Sequence, residues 1–213
     1  MTGPYIFTAT GTKFFPFDPT PNTVDLLDID YGLSHKARFS GQTREFYSVA
    51  THSVRVAEVV RVRGARPVVV LAALLHDAHE AYLADVPTPL KPFIRLEDGR
   101  TWADVERGIQ RAIHAKVGIG VEEISAKEAD LIKKADRILL QIEVDELFDG
   151  PTAKQFRKSL RNMPKVTEGD RRAAVEAFRF STRLSMLMGE LPGLGRKLGA
   201  GAGTVLHFDT EED

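Results

Sequence analysis

The sequence contains no cysteine. That excludes a disulfide-stapled scaffold and any metal site built on thiolates, and it says nothing positive about redox compartment. Charge of one sign is also lacking: 29 Lys and Arg face 30 Asp and Glu, a formal net charge of -1. A dedicated nucleic-acid binder usually shows a basic excess. No run of apolar residues approaches the length of a membrane span. Met1-Thr2-Gly3-Pro4 has neither the charged start nor the apolar middle of a signal peptide, so the expected location is the cytoplasm. No internal repeat is visible. At 213 residues one domain is expected, large enough to bury a sizeable core without cross-links.

The chain is instead rich in helical pattern. Tyr5 to Phe17 reads as two short strands turning at Gly11, and residues 1–22 as an N-terminal hairpin decoration. Residues 23–190 read as one helical domain. Val24–Lys36 is expected to be a helix capped by Asn22 or Thr23, with Leu26, Leu27, Tyr31 and Leu33 in the core. A second helix falls within Glu45–Arg63, with Val49, Val56, Val59 and Val60 as its stripe and Gly64 closing it. Pro67 opens a third, whose run Val68 to Leu75 is buried. Thr101 caps a helix to about Val117 on which Glu106 reads as solvated. Ser125 and Glu128 form a capping box for a long helix to about Phe148. Asp149-Gly150-Pro151 is a break, and a last helix runs from about Gly169 or Asp170 to Gly189, with Ala174, Ala177, Phe178, Leu184, Leu187 and Met188 inward. The Gly-rich segment 191–213 is expected to be a flexible tail. Its glycines lack the strand and helix that a phosphate-binding loop requires. The expectation is an all-α globule of six to eight helices with a small β hairpin.

The chemistry concentrates in Leu74 to Lys91. His76 and Asp77 continue a helix that until then shows only core residues, and burying an ionisable pair is costly unless something pairs with it. A divalent cation is one such partner, accepting imidazole nitrogen and carboxylate oxygen together. Glu80 lies one turn past His76 on the same face. Asp85 immediately precedes Val86-Pro87-Thr88-Pro89, where a helix must end. Upstream, His52 sits near the start of the second helix. Downstream, Asp136 falls in the apolar sector of the long helix, beside Leu131, Ala135, Ile138, Leu139, Ile142 and Leu147. At the acidic end of that helix, Glu143 and Asp145-Glu146 read as a solvated face, with a pocket or dimer role as the alternative.

The order His52, then His76-Asp77, then Asp136 resembles the HD-domain metal-dependent phosphohydrolase superfamily. The longer string His76-Asp77-x-x-Glu80-(x)4-Asp85-x-Pro87-Thr88-Pro89-x-Lys91 is similar to its YfbR-type 5'-deoxynucleotidase branch, and the likeness spans roughly residues 31–148. The resemblance implies a metal shell of His52, His76, Asp77 and Asp136 holding one divalent transition metal, Mn, Co, Fe, Ni or Zn. It assigns Glu80 and Asp85 to acid/base catalysis, with Glu80 nearer the water. It assigns Arg38 to the substrate phosphate and Phe39 to the sugar side, where the branch carries Trp. Thr88 and Lys91 are further substrate-binding candidates, with a solvated loop as the alternative for Lys91. His79 matches extra histidines of the triphosphohydrolase branch. The implied activity is cleavage of a (deoxy)nucleoside 5'-monophosphate. A dNTP triphosphohydrolase is the near alternative and a non-catalytic nucleotide sensor the alternative of another class. The expected partner is a nucleotide, with no nucleic acid and no membrane. A homodimer is expected from the prevalence of twofold dimers among small enzymes.

Overall fold

A computed structural model describes residues 3–175 and 180–191. The architecture is all-α with a small N-terminal hairpin. Strands β1 (Ile6–Phe7) and β2 (Lys13–Phe14) pair antiparallel, and Gly11 closes the turn at φ 82°, a conformation that favours glycine. The helices among the described residues are α1 (Leu26–Ser34), α2 (Val49–Val62), α3 (Pro67–Leu74), α4 (Trp102–Lys116), α5 (Ala126–Leu147), α6 (Gly150–Ser159), α7 (Glu168–Val175) and α8 (Phe180–Gly189). No described helix is long and apolar enough to cross a membrane.

Helix α3 is apolar on every side, and Val68 to Leu75 are buried without a break. A helix of that kind belongs in the middle of a domain. Each of its larger side chains contributes roughly 1.5–3 kcal/mol on burial. Helix α2 packs beside it and presents Val49, Val56, Val59 and Val60, all with no exposed surface. Helices α7 and α8 are tied to α2 by charge. Arg63 makes a bidentate pair with Asp170 at 2.9 and 2.8 Å, and Arg183 Nε lies 2.6 Å from the buried Glu58. The hairpin is welded to the core rather than laid over it. Phe14 is fully buried and stacks on Tyr82 at 3.8 Å, while Thr10 donates its backbone N–H and hydroxyl to Asp28.

Capping chemistry sets the starts of the helices that carry the site. Ser48 accepts from the Thr51 N–H at the start of α2. Thr101 with Asp104, and Ser125 with Glu128, form capping boxes for α4 and α5. The expected break at 149–151 is itself a start, with Asp149 capping α6.

Several expectations need correction. Helix α1 begins after Asp25, whose carboxylate accepts the Leu27 N–H, so neither Asn22 nor Thr23 is the cap. Tyr31 is 50% exposed, and Ile29 takes the core position with Leu33. The last helix is described as two segments, α7 and α8, and Ala177, Phe178 and residues 192–213 lie outside the described residues.

The largest difference concerns the His-Asp pair. Helix α3 ends at Leu74, and the chain tightens through a turn into a short 3₁₀ segment, Ala78–Ala81, as helix C-termini often do. His76 and Asp77 therefore lie past the helix, not on it. Asp85 likewise follows irregular backbone and no helix reaches it. The tight turn is docked on α1 through Gly32, where an added Cβ would stand 2.8 Å from the Ala81 carbonyl oxygen. Gly32→Ala is expected to destabilise the protein by about 1–3 kcal/mol, since the turn backbone must move to relieve the overlap. Urea denaturation measures it, and an unchanged midpoint would show that α1 and the turn are not held in close contact.

Candidate metal centre

Four segments deliver the site. The first is the loop 38–47 between α1 and α2. Its ends are pinned together, because Arg38 N–H donates to the Tyr47 carbonyl at 2.8 Å and Val49 N–H to the Lys36 carbonyl at 3.0 Å. Its far side is fastened to the end of α5, where Arg44 donates to the Leu147 carbonyl through its backbone and to the Glu146 carbonyl through its side chain. Within it Phe39, Ser40 and Gly41 take φ values of 54°, 52° and 73°. Two consecutive non-glycine residues in the left-handed region each cost roughly 1–2 kcal/mol, and the pinned ends hold them there. The loop thereby directs Arg38 inward. The other three segments are the first turn of α2, with His52, the turn after α3, with His76 and Asp77, and the middle of α5, with Asp136.

These side chains converge. His52 Nε2 stands 3.3 Å from Asp136 Oδ1 and 3.6 Å from Asp77 Oδ2, and His76 Nε2 stands 3.1 Å from Asp77 Oδ2. Suitably placed ligand atoms of His52, His76 and Asp136 lie within 4.8 Å of one another, as do those of Asp77, His79 and Glu80. His52 has no exposed surface, whereas the Asp77 and Asp136 side chains are 20% and 38% exposed. His52 thus forms the floor and Asp136 opens most toward solvent, with His76 and Asp77 between them at 15% and 20%.

The hydrogen-bond partners of the imidazoles test whether a cation fits. His76 Nδ1 lies 2.8 Å from the Ala73 carbonyl oxygen. A carbonyl only accepts, so Nδ1 carries a proton, and Nε2 is the nitrogen turned toward the cluster, bare whenever the ring is neutral. His52 Nδ1 lies 2.7 Å from Glu143 Oε1, which produces the same tautomer. Both Nε2 atoms are buried and make no well-aligned hydrogen bond, with carboxylate oxygens of Asp136 and Asp77 3.3 and 3.1 Å away. Imidazoles anchored at one nitrogen and bare at the other are the usual form of metal-bound histidine. Two such nitrogens with two carboxylates suit Mn, Fe, Co, Ni or Zn better than Mg or Ca.

The electrostatics point the same way. Burial works against a charged His76, yet Asp77 and Asp136 push its pKa up to about 9. Burial would raise the Asp77 carboxyl, but His76, His52 and Arg38 outweigh it and hold the group well below the usual carboxylate range. The cluster attracts positive charge. Arg38 already leans in, its Nη1 and Nη2 each 3.8 Å from a carboxylate oxygen of Asp77 and Asp136.

Glu80 borders the centre. It is 3% exposed, and burial, reinforced by the charges of Asp77 and Asp85, pushes its pKa up to about 9. Asp85 is half-buried and also raised, chiefly by burial. Lys91 ends on Glu106 at 2.9 Å, with His79 Nε2 3.6 Å from the same carboxylate oxygen, so Glu106 is not the solvated residue expected on α4. Thr88 is exposed. Phe39 packs edge-on against Phe148 and Phe156 at 5.3 and 6.1 Å.

Glu143 was expected first on a solvated face, with a pocket or dimer role as the alternative, and its place beside His52 and Arg38 was not foreseen. It has no exposed surface. Its Oε1 accepts from His52 and from the Tyr47 hydroxyl at 2.9 Å, and its Oε2 accepts from Arg38 Nε at 3.0 Å. Burial opposes its charge, but His52 and Arg38 hold its pKa down at about 2. Lys36 was missed too: its ammonium donates to the Ala81 carbonyl at 3.1 Å and is close enough to Glu80 for their charges to interact.

No protein-family model matches the chain. It is 35% identical over 145 residues to an uncharacterized protein of Rhodobacter capsulatus, an alignment that takes in 65% of this chain and 70% of that one. It is 36% identical over 132 residues to the uncharacterized protein YfdR of Escherichia coli K12, across 62% of this chain and 68% of YfdR. The chain belongs to the YfdR family. Neither relative's name states an activity, so what this member of the YfdR family does must be argued from its site.

Proposed function

We propose that the protein is a metal-dependent phosphohydrolase of the HD type that cleaves the phosphomonoester of a (deoxy)nucleoside 5'-monophosphate. The observation that carries this reading is the pair of buried Nε2 atoms of His52 and His76 facing the carboxylates of Asp77 and Asp136, with the guanidinium of Arg38 beside them. His52, His76, Asp77 and Asp136 would hold the metal. When bound, a divalent transition metal supplies Lewis acidity, acidifying water and offsetting phosphate charge.

The chain's own groups divide the remaining work. Arg38 offers two η nitrogens toward the centre while its Nε is held by Glu143. That presents a fixed fork for phosphoryl oxygens and for the charge that grows on them. Water adds to phosphorus and the bond from phosphorus to the 5' oxygen breaks, so one proton must leave the water and one must reach the departing alkoxide. Glu80 and Asp85 are the pair for these transfers. Burial favours a proton on Glu80, which suits it to donate to the leaving oxygen, the reverse of the expectation that put it nearer the water, and leaves Asp85, nearer solvent, to accept from water. A site that only binds or senses has no need of such a pair.

The test is the product released from a panel of dNMPs, NMPs and dNTPs by metal-loaded protein. Orthophosphate from monophosphates is the expected result. Tripolyphosphate from dNTPs would replace the reading by a triphosphohydrolase, in which His79, whose Nε2 now faces Glu106, would gain a role. Nucleotide binding without turnover would leave a sensor.

A further inference from the structure

We infer that Glu143 is a positioning residue that serves the metal centre and the phosphate-binding cation at once, so that the two sites are coupled through one carboxylate. The inference rests on the phosphohydrolase reading and adds a residue that the resemblance does not supply.

The geometry leaves little freedom. Oε1 takes the His52 Nδ1–H and the Tyr47 hydroxyl, while Oε2 takes the Arg38 Nε–H. Each oxygen therefore faces donors only, and an ionised carboxylate is the side chain with acceptors at both ends. On one side this bond selects the tautomer of His52 whose bare Nε2 faces the cluster. On the other it holds the guanidinium so that Nη1 and Nη2 make only long ion pairs, 3.8 Å from Asp77 and Asp136, instead of closing onto them as hydrogen bonds. Without that restraint Arg38 would compete with a cation for the ligand carboxylates and would lose its aim at a phosphate.

The carboxylate is itself braced. Arg55 Nη1 donates to the Tyr47 oxygen at 3.0 Å, Arg55 Nη2 reaches Glu146 at 2.7 Å, and Arg55 Nε reaches the Ala174 carbonyl at 2.5 Å. Arg55 is one turn along α2 from His52, and Glu146 one turn along α5 from Glu143. The network thus ties the two helices that carry the ligands to the end of α7. It is buried throughout its centre, where a satisfied set of charged bonds fixes one arrangement.

An amide at position 143 cannot reproduce this. If its oxygen serves His52 and Tyr47, its NH2 faces the Nε–H of Arg38, donor against donor; the flipped amide fails His52 instead. Glu143→Gln is therefore expected to weaken Co2+ binding to metal-stripped full-length protein by about 10- to 100-fold. It is also expected to alter the d–d absorption of the bound Co2+. At saturating Co2+ the affinity for inorganic phosphate falls by about tenfold, the loss of one charge-assisted contact. A purely structural residue would lower the unfolding temperature and leave these readouts unmoved.

Should the variant fail to fold, the wild-type protein loaded with Zn2+ decides through the 15N resonances of His52. Nδ1 protonated with Nε2 on the metal supports the inference, and any other assignment overturns it. Wild-type binding of Co2+ together with an unchanged Glu143→Gln affinity overturns the positioning role alone. Wild-type protein that takes up neither Co2+ nor Zn2+ overturns this role and the phosphohydrolase reading together.

Discussion

Asp77→Ala is expected to remove metal and activity together. Asp77 Oδ2 lies within 3.6 Å of both His52 Nε2 and His76 Nε2, so it is the carboxylate shared by the two imidazoles. Without it the site keeps two nitrogens and one carboxylate, and Arg38 loses one of the two acidic groups that draw it inward. A partner one bond removed from a metal typically costs 10- to 100-fold in affinity, so loss of a direct ligand should exceed about 100-fold. Turnover should fall by roughly 10³-fold or more, since Lewis-acid stabilisation is worth several kcal/mol and each 1.36 kcal/mol is tenfold. Fold should survive, because Asp77 keeps partial exposure at 20% and stands past the end of α3. Metal content per chain and rate, measured on one preparation, check this. Activity lost with metal retained would move Asp77 out of the shell.

Glu80→Gln should separate the two properties. It keeps the side chain's size in a site that is 3% exposed, and removes only the ability to give or take a proton. Metal binding is expected to stay within about threefold of wild type, while turnover of a nucleoside monophosphate falls about 10²- to 10⁴-fold. The role of acid adds a sharper expectation. With an aryl phosphate whose leaving group needs no proton, most of that loss should disappear, because donation no longer limits the step. An equal loss on both substrates would assign Glu80 to the attacking water, and full activity on both would remove it from the chemistry.

The four proposed ligands were legible in the sequence because their types stand out from their settings. His52 and Asp136 each interrupt an apolar stripe, and His76-Asp77 ends a run of core residues. The backbone that carries the pair was not legible. Leu75 to Ala81 contains no glycine or proline, so local preference continues the helix, and only contact with Gly32 of α1 shows where the chain tightens into a turn. Glu143 was misread for a different reason. Among Asp145 and Glu146, which are exposed, it resembles one more solvated charge. Yet it follows Asp136 by two helical turns, about seven residues at 3.6 per turn, and so shares its face. That spacing was available as a signal. Tyr31 shows the reverse error, since an aromatic at helical spacing suggested core while the small Gly32 beside it makes the close contact.

The fold expectations succeeded where patterning is strongest, in the valine stripe of α2, the Thr101 cap of α4 and the capping box of α5. They were weakest where tertiary contact overrides local preference, as at the end of α3 and the start of α1. The site lies where both kinds of segment meet: rigid helices supply His52 and Asp136, while a pinned loop and a tight turn supply Arg38, His76 and Asp77.

The measurement that tests the central claim most directly is orthophosphate release from a deoxynucleoside monophosphate by metal-stripped wild-type protein, before and after stepwise addition of Co2+ or Mn2+. The expected result is negligible release without metal and a rate that rises to a plateau at about one equivalent per chain, the capacity of a single four-ligand site. Full activity in the presence of a chelator, or a plateau reached with Asp77→Ala as with wild type, would contradict the account.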